Sequence, residues 1–305
     1  MNIINNRKIF YAATGIIIAV ALISLFVFGL NFGIDFKGGT IFDVEYNQAR
    51  PEVTQVDNTL KNLEILGSTI RPTGDKGYII RTPHLDTAKR DQFIGALSNG
   101  GATPFEVKRE NSIGPSLGTE LKSKAIVSII FVILAIVLFI AFAFRKVSKP
   151  VSSWKYGLIT IVALLHDVIV PTGAFAILGK FAGAEVDSLF VTALLVILGF
   201  SVHDTIVVFD RVRENLRLSE EYNRKEPFEG IVGKSVSQTI ARSINTSLTT
   251  ALTLLALYLF GPESTKFFSL ALLIGIIAGT YSSIFLASPL LVTVEKLQNK
   301  NQAKK

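Results

Sequence analysis

The chain of 305 residues has no cysteine, three histidines, one tryptophan and only 18% charged residues. Without cysteine there can be no disulfide, no thiolate metal site and no thiol chemistry, so any domain outside a membrane must stand on its own apolar core. No G-x-x-x-x-G-K-[ST] run occurs, which argues against nucleotide hydrolysis by this chain. The expectation is a non-enzyme with no cofactor and no metal. What the sequence has in excess is apolar: 49% hydrophobic residues, 22 of them Phe, too much for a single soluble domain.

The surplus is concentrated in unbroken runs. From Ile9 to Leu30 there is no charge, enough residues to cross a hydrocarbon core of roughly 30 Å. A signal peptide would have a shorter apolar core, of about 7–15 residues, and a small-x-small cleavage site; the run is read as an uncleaved anchor. Further runs follow at Ala125–Phe144, Trp154–Leu178, Ser188–Phe209, Ile244–Phe260 and Phe267–Val294. Six helical spans are expected, because barrel strands would alternate in segments of roughly ten residues.

The net charge of +7 marks topology rather than nucleic-acid binding, since the basic residues are not gathered on one domain. Arg7 and Lys8 precede the first run. Arg145, Lys146, Lys149 and Lys155 link the second to the third; Arg211, Arg213, Arg217, Arg224, Lys225 and Lys234 link the fourth to the fifth; Lys296, Lys300, Lys304 and Lys305 end the chain. The short links on the other side carry only Lys180 and Lys266. The positive-inside rule then predicts cytoplasmic termini and an extracytoplasmic segment at 31–123. The domain plan is an N-terminus with span one (1–30), the external domain (31–123), spans two to six (124–294) and a basic tail (295–305).

The external segment reads as alternating strands and amphipathic helices: TIFDVEYN (Thr40–Asn47), a helix over Pro51–Leu66, a hairpin around Gly74–Asp75, an Asp-capped helix over Asp86–Gly100 and a strand at Thr103–Asn111. That order, βαββαβ, predicts a ferredoxin-like α+β domain with a small antiparallel sheet. His84, after Pro83, is expected to be a solvated loop residue.

The informative charges lie inside the spans: His166 and Asp167 in the third, His203 and Asp204 in the fourth, and Arg242 at the start of the fifth. A centrally placed Asp costs about 2.5–3.5 kcal/mol on insertion scales, so both carboxylates should face the bundle interior. At 1.5 Å per residue, Asp204 lies roughly 10 Å from Arg211, Arg242 roughly 12 Å beyond Lys234 and Asp167 roughly 18 Å beyond Lys155. Asp204 and Arg242 are therefore expected to meet, with Asp167 deeper. Burial favours the neutral acid and a nearby guanidinium favours the carboxylate, so such a pair can switch with hydration and carry protons; a static clasp between helices is the other reading. Hydroxyls along the fifth span, Thr246 and Thr250 among them, suggest a wet path that could also include His166, Asp167 and His203, or else packing glue. Gly275-x-x-x-Gly279, with Ala271 one turn earlier, permits close helix approach.

Five segments in this order resemble the SecD/SecF family of protein translocase subunits, related to the RND exporters: NFGIDFKGGT (Asn31–Thr40), SIGPSLG (Ser112–Gly118), LLHDV (Leu164–Val168), SVHDTIVVFDRVREN (Ser201–Asn215) and SQTIARSINTSLTT (Ser237–Thr250). The resemblance covers nearly the whole chain. It implies a prokaryotic cytoplasmic-membrane subunit that pairs with a separate SecD, assists the SecYEG translocon after the SecA motor has acted, and uses the proton motive force to pull an unfolded polypeptide outward. Its proton-linked Asp and Arg fall on Asp204 and Arg242. His203 stands where relatives often carry Asn, which speaks against a dedicated proton role. Two alternatives remain open: a small-molecule exporter of RND type and a passive scaffold for SecD. Coupling by H⁺ or by Na⁺ also stays open.

Overall fold

The computed structural model describes residues 3–143, 151–224 and 226–302. Arg145, Lys146, Lys149, Lys225, Lys304 and Lys305, used above for topology, lie outside them. The chain divides into two compact units, one of Phe32–Ile126 with Val186–Ser188 and the other of the remaining segments.

The first unit is built as the pattern predicts. Strands β1 (Gly39–Tyr46), β2 (Thr69–Thr73), β3 (Gly77–Thr82) and β4 (Phe105–Ile113) form one antiparallel sheet in the order β2-β3-β1-β4. Helices α3 (Val53–Asn62) and α4 (Thr87–Leu97) follow β1 and β3, while the short α2 (Ile34–Lys37) precedes β1. The ferredoxin-like connectivity holds. Alternation along β1 buries Phe42, Val44 and Tyr46, which pack with Val56 and Leu60 of α3 and Phe93 and Leu97 of α4. Asp86 caps α4 by accepting from the Lys89 N–H at 2.8 Å, satisfying one of the free donors of the first turn. His84 is exposed, with Nδ1 3.1 Å from Ser112 Oγ.

Two motifs of the sequence meet in this unit. Gly38 has φ +76°, and a Cβ there would stand 2.9 Å from Pro115 Cα; a Cβ at Gly118 would stand 2.9 Å from Gly38 N. The positive φ and the backbone contact both require glycine. Just before them, Asp35 Oδ2 accepts the Ser188 N–H at 2.9 Å and Phe32 bridges to Val186. Asp35 thereby caps the helix that begins at Ser188.

The second unit is helical. Among the described residues six stretches are long and apolar enough to cross a membrane: α1 (Arg7–Phe28), α5 (Pro115–Ala143), α6 (Ser153–Phe181), α7 (Ser188–Glu221), α8 (Phe228–Phe260), and α9 (Glu263–Tyr281) continued by a π-helical segment (Ser282–Ala287) and α10 (Ser288–Gln302). Helix α5 starts ten residues before its apolar run and α8 sixteen, so Arg242 lies well inside a helix rather than opening one.

Small residues set the crossings. A Cβ at Gly173 of α6 would stand 2.5 Å from Ala21 Cβ of α1, and one at Gly275 of α9 would meet Ile197 of α7 at 2.1 Å. A Cβ at Gly279 would lie 3.0 Å from Ser201 Cβ. The Gly275/Gly279 pair thus lets α9 approach α7 as the spacing suggests. At the end of the unit that holds the N-terminus, Glu229 of α8 receives Arg7 of α1 at 2.6 Å and also Lys296 of α10, tying three helices together.

Candidate proton-coupling site

Ser201, Asp204 and Thr205 fall on the inward face of α7, where Leu194, Ile197, Leu198, Val208 and Val212 are also buried. Asp204 is only 2% exposed. Its neighbours are Ser243 and Ser247 of α8, and Ser247 Oγ lies 2.5 Å from Thr280 Oγ1 of α9. Asp204 Oδ2 and Ser243 Oγ are buried without a hydrogen-bond partner. An acceptor left unsatisfied in this way costs on the order of 1–3 kcal/mol, more when charged.

The expected meeting of Asp204 with Arg242 is absent. Arg242 is exposed, and no hydrogen bond or ion pair joins the two among the described residues. The reason is rotational. Neighbours on a helix point about 100° apart, so Ser243 turns inward to Asp204 while Arg242 turns outward with Gln238, Asn245, Thr249 and Thr253, all exposed. His203 is exposed by the same rotation, one residue from Asp204.

Thr246 and Thr250 are half-buried, and the Thr250 hydroxyl donates to the Thr246 carbonyl at 2.9 Å. Thr249 and Thr253 likewise bond to carbonyls of their own helix. These hydroxyls satisfy α8 itself rather than line a path. Of the hydroxyls crowded along this span it is Ser243 and Ser247, spaced i, i+4, that stand at Asp204.

His166 and Asp167, by contrast, are brought together and buried, at 1% and 0% exposure. His166 Nδ1 lies 2.8 Å from Asp167 Oδ1. Asp167 Oδ2 accepts from Ser282 Oγ at 2.9 Å and from Ser201 Oγ, so α6, α7 and the π-helical segment converge on one carboxylate. Pro171 adds to the polarity of the place: lacking an N–H, it gives none to the Asp167 carbonyl one turn earlier. The sequence had flagged Asp167, but not Ser201 or Ser282, which have no charge to mark them in an apolar run.

Comparison with known proteins agrees with this architecture. The family described as protein export membrane protein SecD/SecF, C-terminal, matches residues 94–297, and the SecD/SecF GG motif matches residues 23–49, around Gly38 and Gly39. The protein translocase subunit SecF of Thermobaculum terrenum is 44% identical, over 97% of this chain and 94% of its own. That of Anaerolinea thermophila is 38% identical, over 100% and 97%. Among solved structures, SecDF of Thermus thermophilus, a translocon-associated membrane protein, superposes with a TM-score of 0.81 at 31% identity, over 97% of this chain and 39% of that one. This chain therefore spans about two fifths of the SecDF polypeptide. Matching motifs, six long apolar helices and near-full-length similarity together place the chain in the SecD/SecF family of protein export membrane proteins.

Proposed function

We propose that this chain is an accessory subunit of the Sec protein translocase that, with SecD, uses the proton motive force to drive late steps of polypeptide export across a cytoplasmic membrane. Asp204 is the protonatable carrier and Arg242 its charge partner. The observation that carries the reading is the buried Asp204 with its unpartnered Oδ2, beside Ser243 and Ser247. A buried carboxylate with one oxygen left unpartnered is more than a packing element needs, and intramembrane ionisable groups mark ion pathways.

Arg242 and the polar residues beside it lie on an exposed face of a membrane helix, which lipid would solvate poorly. That exposed polar face supports the pairing with SecD: a second bundle laid over it would bury Arg242 near the level of Asp204. The unit of residues 32–126 is then extracytoplasmic, with both termini cytoplasmic, and its motion acts on the emerging unfolded chain; SecYEG and, indirectly, SecA are the other partners. The subunit itself is not an enzyme. The small-molecule exporter finds less support: a cavity in this unit, lined by Tyr46, Val56, Leu97 and neighbours, has a volume of about 240 Å³, below the roughly 300–1,000 Å³ of drug-sized sites.

The test is completion of export of a secreted precursor in membrane vesicles that hold this chain and its SecD. An imposed proton gradient should accelerate export in wild type and not in Asp204→Asn at equal assembly. An equal response in both makes Asp204 structural and returns the passive scaffold as the better reading.

A further inference from the structure

We propose that His166 and Asp167 form a second proton-binding site, in which His166 Nε2 takes up the proton, Asp167 supplies the counter-charge and Ser282 passes the change to the sixth span. Its purpose rests on the proton-driven reading above; the binding of a proton there does not.

The donors around Asp167 suit an ionised carboxylate. Oδ2 takes two hydroxyls, Ser201 and Ser282, and Oδ1 faces His166 Nδ1. A ring that donates from Nδ1 to a carboxylate keeps its lone pair on Nε2. That atom is buried and has no hydrogen-bond partner. With Asp167 ionised, the pair so arranged carries one net negative charge in a buried site, and a proton on Nε2 removes it. The ring also stacks on Tyr281, with centroids 5.9 Å apart and planes 29° from parallel, within the range in which an aromatic face attracts a cation.

Among the described residues no fixed cation pairs with Asp167. The titratable groups around the pair are few. From α7 there is Asp204, one turn beyond Ser201; from α9 there is Tyr281, whose hydroxyl lies 3.1 Å from Thr14 Oγ1 of α1. From the π-helical segment there is only the Ser282 hydroxyl. Among the described residues no Lys or Arg makes an ion pair or hydrogen bond with either group; His166 itself is the only ion-pair partner of Asp167.

Ser282 makes the site sensitive to its charge. Its hydroxyl has one proton and two acceptors, Asp167 Oδ2 at 2.9 Å and the Gly279 carbonyl at 3.0 Å. A negative Asp167 draws that proton; once the imidazolium neutralises the pair, the carbonyl competes better. The choice is made at the first residue of a π-helical segment, in which Ser283, and just after which Ser288, also bond to backbone carbonyls. Such segments leave part of the regular helical ladder unmade and recur at functional sites. Thr280, two residues earlier, contacts Ser247 beside Asp204, so the two carboxylates flank one short stretch of the sixth span.

With only three histidines in the chain, the site can be read directly. The full chain, labelled with ¹⁵N-histidine and reconstituted in lipid bilayers, is examined by solid-state NMR from about pH 9 to 4, a range spanning histidine titration. His84→Asn and His203→Asn, both at exposed positions, assign the remaining resonance to His166. The expected result is an Nδ1-protonated neutral ring that becomes doubly protonated on acidification. In Asp167→Asn the doubly protonated population at a given pH should fall at least about tenfold, because the counter-charge is gone. A His166 ring that keeps one protonation state throughout while the protein stays folded overturns the proposal, as does an unchanged titration in Asp167→Asn. The export assay separates the two readings. Asp204→Asn that retains the gradient response defeats the proton-driven function and leaves the His166 titration standing, whereas a wild-type His166 that does not titrate defeats only this second site.

Discussion

The same dipeptide, His-Asp, occurs twice in this bundle, and the two copies have opposite surroundings. In α6, His166 and Asp167 are both buried and bonded to each other, and Asp167 takes two further hydroxyls. In α7, Asp204 is buried with an unpartnered oxygen while His203 is exposed. The difference comes from what surrounds each helix. Helix α6 packs on α1 and on the whole of the sixth span, and it buries adjacent positions. Helix α7 buries Asp204 together with Thr205 and leaves His203, 100° away, exposed. One carboxylate is thus stabilised by its bonds and the other is left ready to change them.

The largest expected effect separates the copies in export. Asp204→Asn should reduce gradient-driven export to the rate without a gradient, with no loss of thermal stability; a substantial loss of stability would make the two sites alike and weaken the contrast. Next is Asp167→Ala, which strands His166 Nδ1 and the hydroxyls of Ser201 and Ser282 in the interior. Removing one partner of a buried pair costs about 3–5 kcal/mol, visible as a lowered thermal midpoint or poor recovery in detergent. Gly279→Ala should be milder. Its Cβ presses on Ser201 at 3.0 Å, and overpacking of this kind costs about 1–3 kcal/mol; the Asp167 site should loosen, which the His166 resonance would register. The smallest changes belong to α7 and its neighbour. His203→Ala should alter stability by no more than about 0.5 kcal/mol, since the side chain is exposed, and Ser243→Ala should not destabilise, since it deletes a buried hydroxyl without a partner. A loss comparable to Asp167→Ala at either position would show a bonded network around Asp204 after all.

Much of the fold was legible beforehand. Period-two alternation in β1, the capping Asp86 and the Gly74–Asp75 turn are local signals, and local signals survive into the structure because each satisfies backbone or burial within a few residues. The long apolar runs announced the spans for the same reason. The π-helical segment at Ser282–Ala287 had no comparable mark, nor did the approach of Gly38 to Pro115, because both depend on residues far apart in the chain.

The candidate site divides along the same line. Depth along a helix follows from residue count, so the sequence could place Asp167, Asp204 and Arg242 at their levels. The cost of exposing a carboxylate to lipid turned both Asp side chains inward, but nothing turned Arg242 or the serines: a rise of 1.5 Å per residue carries no information about the 100° turn that accompanies it unless the buried face is known. By itself the sequence determined the spans, the strand order of the sheet and the presence of two carboxylates in apolar surroundings. Only the tertiary structure decided that Ser243 rather than Arg242 faces Asp204 in this chain, and that Ser201 and Ser282 converge on Asp167. Hydrophobic patterning is written into each segment, whereas the partners of a buried polar atom come from whichever helices pack beside it.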